Sequence, residues 1–192
     1  VKLADRVGPG MRVLFVGINP GIRTALIGHH FAGFSNRFWK LLAESALVPE
    51  PLRTEDDVRL PEFGFGITNL VRRATPGIDT LTRAEYTAGE QVLRRKVRRW
   101  KPEVVALVGV TLFRHLFRRS PATPVALGLQ RERFEGAAVF VLPNPSGRNA
   151  NFSHAEMLDT FVRLRRWLQR HPARRAPAAG PRIRRAARRA PP

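Results

Sequence analysis

Four short runs constrain this chain more than anything else in it. Residues 13–16, 104–108 and 138–142 are apolar without interruption, and residues 66–71 form a fourth, Gly-led candidate. A strand with one wet face alternates apolar and polar residues. Unbroken apolar strands are buried on both faces, as in parallel sheets covered by helices. Helical stretches fall between the runs. Residues 36–47 place Phe38, Leu41, Leu42 and Ser45 on one face. Thr82-Arg-Ala-Glu85 and Ser153-His-Ala-Glu156 each read as a capping box. The first opens a helix to about Trp100 with Val92, Leu93 and Val97 on one side. The second opens one striped by Met157, Phe161, Leu164 and Leu168. Residues 111–118 read as a further short helix. The expected fold is α/β: a single three-layer domain with a short, mainly parallel central sheet and helices on both faces. Such sheets bind ligands at the carboxyl ends of their strands. That directs attention to the loops after Val16 and Leu142.

The 192 residues suffice for one domain with a real core, read as residues 1–170. Residues 171–192 are mostly Arg, Ala and Pro, and are expected to form a disordered basic arm. The chain carries +19, with 34 Lys and Arg against 15 Asp and Glu. A polyanion such as nucleic acid is the leading partner, since each cation placed on a phosphate releases a counterion. Membrane surfaces and acidic proteins attract the same residues. There is no Cys, which removes disulfides, cysteine nucleophiles and thiolate-bound metals. His29, His30, His115 and His154 lack metal-site spacing, so neither metal nor cofactor is expected. No apolar run approaches the roughly 20 residues that span a bilayer, and the N-terminus lacks a signal-like stretch. A cytoplasmic, monomeric protein without a membrane partner is expected.

Two loops stand at the strand ends. Gly17-Ile18-Asn19-Pro20-Gly21 follows the first strand, and Pro143-Asn144-Pro145-Ser146-Gly147-Arg148 follows the last. Taken singly, each also reads as a tight turn. Neither a dinucleotide fingerprint nor a P-loop is present. Together they carry a resemblance. GINPG at 17–21, GHHFAG at 28–33, NRFWK at 36–40, GITNL at 66–70 and NPSG at 144–147 occur in one order. In these segments the chain resembles the mismatch-specific uracil-DNA and thymine-DNA glycosylases, over roughly residues 5–168.

The resemblance implies an enzyme that flips a base out of the duplex and hydrolyses its bond to deoxyribose. Such an enzyme must orient water at C1′ and stabilise the departing uracil anion. Asn19 matches the catalytic position. An amide holds water through its carbonyl oxygen but is no general base at neutral pH. Phe31 matches the aromatic on which the flipped base stacks. Ile18 and Phe31 stand where backbone N–H groups meet the uracil carbonyls. Asn69 stands at the pocket wall, and His30 matches a pocket position of the thymine-active branch. Thr24 matches a small Ala of that branch. Asn144 faces the base from the other side, where related families carry His. Ser146 is placed to hold a phosphate, Gly147 to let backbone approach DNA, and Arg148 to act as the wedge. The implied partner is double-stranded DNA containing uracil or a related mismatched base, chiefly uracil opposite guanine. Glu90 stands as an acid of unassigned position. A second reading keeps the fold as a non-catalytic DNA-binding protein.

Overall fold

The computed structural model describes residues 3–173. Of the basic arm expected over residues 171–192, residues 174–192 lie outside the described residues. Five strands form one sheet: β1 (Val13–Gly17), β2 (Phe65–Asn69), β3 (Val104–Val108), β4 (Gly128–Phe134) and β5 (Ala137–Leu142). Their order is β2-β1-β3-β5-β4. The β1–β2, β1–β3 and β3–β5 pairs are parallel, and β4 joins β5 antiparallel at the edge. The four parallel strands are the four runs read from sequence.

Successive residues of these strands serve two cores, because side chains alternate faces along a strand. Val13 and Phe15 of β1 join Phe38, Leu41, Leu42, Phe161 and Leu164 on one face. That face is covered by α2 (Phe38–Glu44), α5 (His154–Arg170) and the 3₁₀ segment Thr54–Phe63. Leu14 and Val16 join Leu93, Val97, Leu112 and Phe113 on the other. That face is covered by α3 (Arg83–Trp100) and α4 (Val110–Leu116). Both capping boxes form: Thr82 with Glu85, and Ser153 with Glu156.

The structure adds elements that the sequence patterns leave as loop. Residues Ile22–Ile27 form α1, one and a half turns long, ended by Gly28 at φ 78°. Strand β4, GLQRERF, carries three consecutive charged residues and lies at the sheet edge. Charge on an exposed edge discourages pairing with another chain. The helix expected over residues 36–47 is shorter: Asn36 accepts from the N–H of Phe38 at its start, and Arg37 donates to the loop after β5.

Candidate active site

The parallel strands deliver their carboxyl ends to one cleft of about 460 Å³. It is lined from the β1 loop by Gly17, Ile18, Asn19, Pro20 and Gly21, and beyond these by Thr24, His30 and Phe31. Asn69 comes from the end of β2, and Asn144, Ser146 and Arg148 from the loop after β5. All the residues given a site role from the sequence thus meet in this cleft, except Gly147, which stands between two of them.

Asn19 is held by its nitrogen. Its Nδ2 donates to the carbonyl of Arg73 at 3.0 Å and to the hydroxyl of Thr75 at 2.6 Å. Thr75 in turn donates to the carbonyl of Gly77. Among the described residues no donor is bound to Oδ1 of Asn19, so the amide presents an acceptor to the cleft. This segment is anchored from behind. Arg73 forms a paired contact with Glu85, at 2.6 and 3.0 Å, and Glu85 also closes the capping box of α3. The Arg73 bond and the Thr82 backbone bond hold the Glu85 carboxyl down at about 2.

Asn144 is held by its oxygen. Its Oδ1 accepts from the N–H of Ser146 at 3.0 Å, and its carbonyl accepts from Asn149 at 2.8 Å. The Nδ2 donors remain for the cleft. Of the two groups through which Ser146 is expected to hold a phosphate, its hydroxyl and its backbone N–H, the N–H is taken up inside its own turn. The hydroxyl of Ser146 accepts from the N–H of Arg148 at 3.3 Å. Gly147 has a structural reason apart from DNA: a Cβ there would collide with the side chain and carbonyl of Ser35. Arg37 braces the loop, donating to the carbonyls of Pro145 from its backbone and of Ser146 from its guanidinium. Arg148 reaches across to the carbonyl of Pro76 at 3.2 Å, spanning the cleft from the second loop.

The floor is aromatic and amide. Phe31 stacks on Phe38 with centroids 4.1 Å apart and 24° between planes. It takes φ 53°, an uncommon setting for a bulky residue. The corner that imposes it is tied from three sides. The buried carboxylate of Asp57 accepts from the N–H of His30 at 2.8 Å and from Arg6 at 2.9 Å, and meets His29 Nδ1 at 3.0 Å. Trp39 donates to the carbonyl of His30. His30 is only 2% exposed, and its Nε2 lies 2.9 Å from the carbonyl of Ala4. Burial lowers its pKa, so the imidazole is neutral and Nε2 carries the proton. Nδ1 is then an acceptor, 3.5 Å from Nδ2 of Asn69. Oδ1 of Asn69 lies over Gly17, where a Cβ would come within 2.5 Å of it.

Thr24 is buried and lines the cleft, with its hydroxyl accepting from the N–H of Ala32 at 3.1 Å. Glu90 does not line the cleft. It is buried on α3 and pairs with Arg94 and Arg118, both at 2.9 Å, and with His115 at 3.2 Å. Burial pushes its carboxyl up, but Arg94 and Arg118 outweigh this and leave it lowered. The carboxylate that does line the cleft is Asp79, without an ion-pair partner among the described residues. The sequence patterns gave no sign of Asp79, Thr75, Asp57 or Arg37 as site residues. The segment Thr75-Pro-Gly-Ile-Asp79 carries a turn signal in Pro76-Gly77 but nothing that points to chemistry.

Residues 4–169 match the uracil DNA glycosylase superfamily. The fold is also similar to a solution structure from Methanosarcina acetivorans, provisionally described as a uracil DNA glycosylase. The TM-score is 0.57 at 16% identity, covering 85% of this chain and 97% of that one.

Proposed function

The chain belongs to the uracil DNA glycosylase superfamily, and on that premise we propose that it excises uracil flipped out of duplex DNA, chiefly opposite guanine. The bond between uracil N1 and C1′ breaks, its electron pair leaves with the base, and water takes the base's place on the sugar. An abasic site remains. No metal or cofactor takes part in this reading.

The observation that carries it is the opposite orientation of two amides across the cleft. Asn19 offers an acceptor and Asn144 offers donors. A water held by Asn19 Oδ1 keeps a lone pair for C1′. The N–H groups of Asn144 suit the anion that grows on the departing base, and hydrogen bonds to charged groups are the stronger kind. Phe31 supplies a stacking platform for the base, backed by Phe38. The free edge of the Asn69 amide meets the uracil edge. Arg148 leaves Pro76 to fill the gap in the duplex.

The test is a set of duplexes, each with one uracil, thymine, ethenocytosine or hypoxanthine, followed by alkaline cleavage of abasic sites. Release from the G·U duplex in excess of every other is expected. Absence of release from any uracil-containing strand, with duplex binding retained, would leave a non-catalytic DNA-binding protein instead.

A further inference from the structure

We infer that Arg23 and Phe34 form a nucleotide-docking element at the mouth of the cleft, seating the nucleotide adjacent to the flipped one. This rests on the base-excising reading above and adds a contact to it.

Phe34 is 90% exposed, the most exposed large apolar side chain among the described residues. Leaving a phenyl ring in water is unfavourable, and a single exposed apolar residue needs no explanation by itself. This one has two further features. It stands between Gly33 and Ser35, both of which line the cleft, so its backbone is part of the rim. It is also not free-standing. The guanidinium carbon of Arg23 lies 3.9 Å from its ring centroid. Arg23 is fixed there from the other side, its Nε donating to the carbonyl of Ala32 at 2.9 Å.

The two side chains therefore hold each other in place. The guanidinium covers one face of the ring and the other is open. Arg23 makes no ion pair with an acid among the described residues, and its terminal nitrogens remain as donors. A fixed planar cation with free donors beside an open aromatic face matches one chemical class closely. A nucleotide carries a phosphate for the first and a flat base for the second. A guanidinium already stacked and hydrogen-bonded has less rotamer freedom to lose on binding phosphate. Because Gly33 and Ser35 line the cleft on either side of Phe34, a nucleotide next to the flipped one is within reach of this pair.

The experiment uses a duplex bearing a stable abasic analogue, with 2-aminopurine placed on either side of it in turn. The full chain is compared with Phe34→Ala, Phe34→Trp, Arg23→Ala and Leu129→Ala. Leu129 is an exposed apolar residue of the edge strand that does not line the cleft. Phe34→Ala is expected to weaken binding by about 5-fold to 150-fold, the range of one base–aromatic stack. Phe34→Trp restores it, and Leu129→Ala leaves it unchanged. The 2-aminopurine on one side is quenched on binding the wild-type chain and much less by Phe34→Ala. Arg23→Ala lowers the salt slope of binding by about one unit, as for one phosphate. Unchanged affinity and quenching in Phe34→Ala overturn the proposal, and so does an equal loss in Leu129→Ala. Absence of uracil release by the wild-type chain, with these binding effects intact, would count against the enzymatic reading alone.

Discussion

The amide nitrogen of Asn19 donates across 2.6 Å to the hydroxyl of Thr75, a residue 56 positions away in the chain. That bond fixes which end of the Asn19 amide meets the cleft. Asn19→Ala removes the acceptor itself, and uracil release is expected to fall by about 10²–10⁴-fold. Thr75→Val removes only the bond that orients it, and a loss of about tenfold is expected. Both variants retain binding to an abasic duplex. Single-turnover rates on a G·U duplex check the order. If Asn19→Ala releases uracil at the wild-type rate, the chemistry lies elsewhere, and Asp79 is the carboxylate within the cleft to substitute next.

Gly17 and Asn69 face each other at the ends of neighbouring strands. A methyl at Gly17 would come within 2.5 Å of the Asn69 oxygen and 3.7 Å of the Phe31 ring. Gly17→Ala must displace the Asn69 amide, which we propose meets the base edge. A loss of more than about tenfold in uracil release is expected, the scale of one hydrogen bond to the base. In Asn69→Ala the obstacle is gone, so adding Gly17→Ala to it costs much less than in the wild-type background. Rates for the two single variants and the double variant test this. Additive losses would show that the two residues do not interfere.

Acid is expected to destabilise the fold through His30. Burial holds its folded pKa below the unfolded value of about 6.5, against the smaller raising effects of the Ala4 carbonyl, Asp57 and Asp5 and alongside the lowering effect of Arg6. The unfolded chain therefore binds the proton first. Stability from this residue is complete above about pH 6.5 and is lost as pH falls from there toward the folded pKa. His115 is lowered by burial as well and adds to the same window. Protonation also turns Nδ1 of His30 from an acceptor toward Asn69 into a donor. Thermal unfolding from about pH 7.5 to about pH 5.5 should show a falling midpoint, with a shallower fall in His30→Gln. Equal slopes would remove His30 from the account.

The sheet was legible because burial on both faces leaves a mark that needs no context. Residues 13–16 and 104–108 could be little else. The two capping boxes were legible because their hydrogen bonds are local, three residues apart. Strand β4 was not, since Arg131, Glu132 and Arg133 give it the composition of a loop. The cleft was legible where its residues follow a strand end, as Asn19 and Asn144 do. Thr75 and Asp57 act through partners 56 and 27 residues away, on Asn19 and His30. Such distances leave no pattern along the chain. The position of Glu90, left open by the sequence, depends on contacts of the same long-range kind. In space the lone acid is paired with two arginines, Arg94 and Arg118, one of them 28 residues away, with the His115 imidazole beside it.

Thr24 is expected to set the preference between uracil and thymine, because it lines the cleft and is buried in its wall. The two bases differ by one C5-methyl, and a difference of that size in a tight pocket is worth about 1–3 kcal/mol. Thr24 is buried in the cleft wall, and its hydroxyl is tied to the N–H of Ala32, next to Phe31. That bond fixes its rotamer, so the side chain cannot swing aside for an added methyl. The wild-type chain is expected to prefer G·U over G·T strongly. Two substitutions separate bulk from bonding. Thr24→Ser deletes the Thr methyl and keeps the acceptor for Ala32. It should raise thymine release relative to uracil while leaving uracil release near normal. Thr24→Ala makes more room but leaves the Ala32 N–H buried without its partner, at a cost of about 1–3 kcal/mol. It should raise the same ratio while lowering both rates, because the backbone that carries Phe31 loosens. Single-turnover release from G·U and G·T duplexes by the three proteins measures this. Thymine release by the wild type at a rate close to that of uracil would refute the assignment, as would a G·T to G·U ratio unchanged in Thr24→Ser.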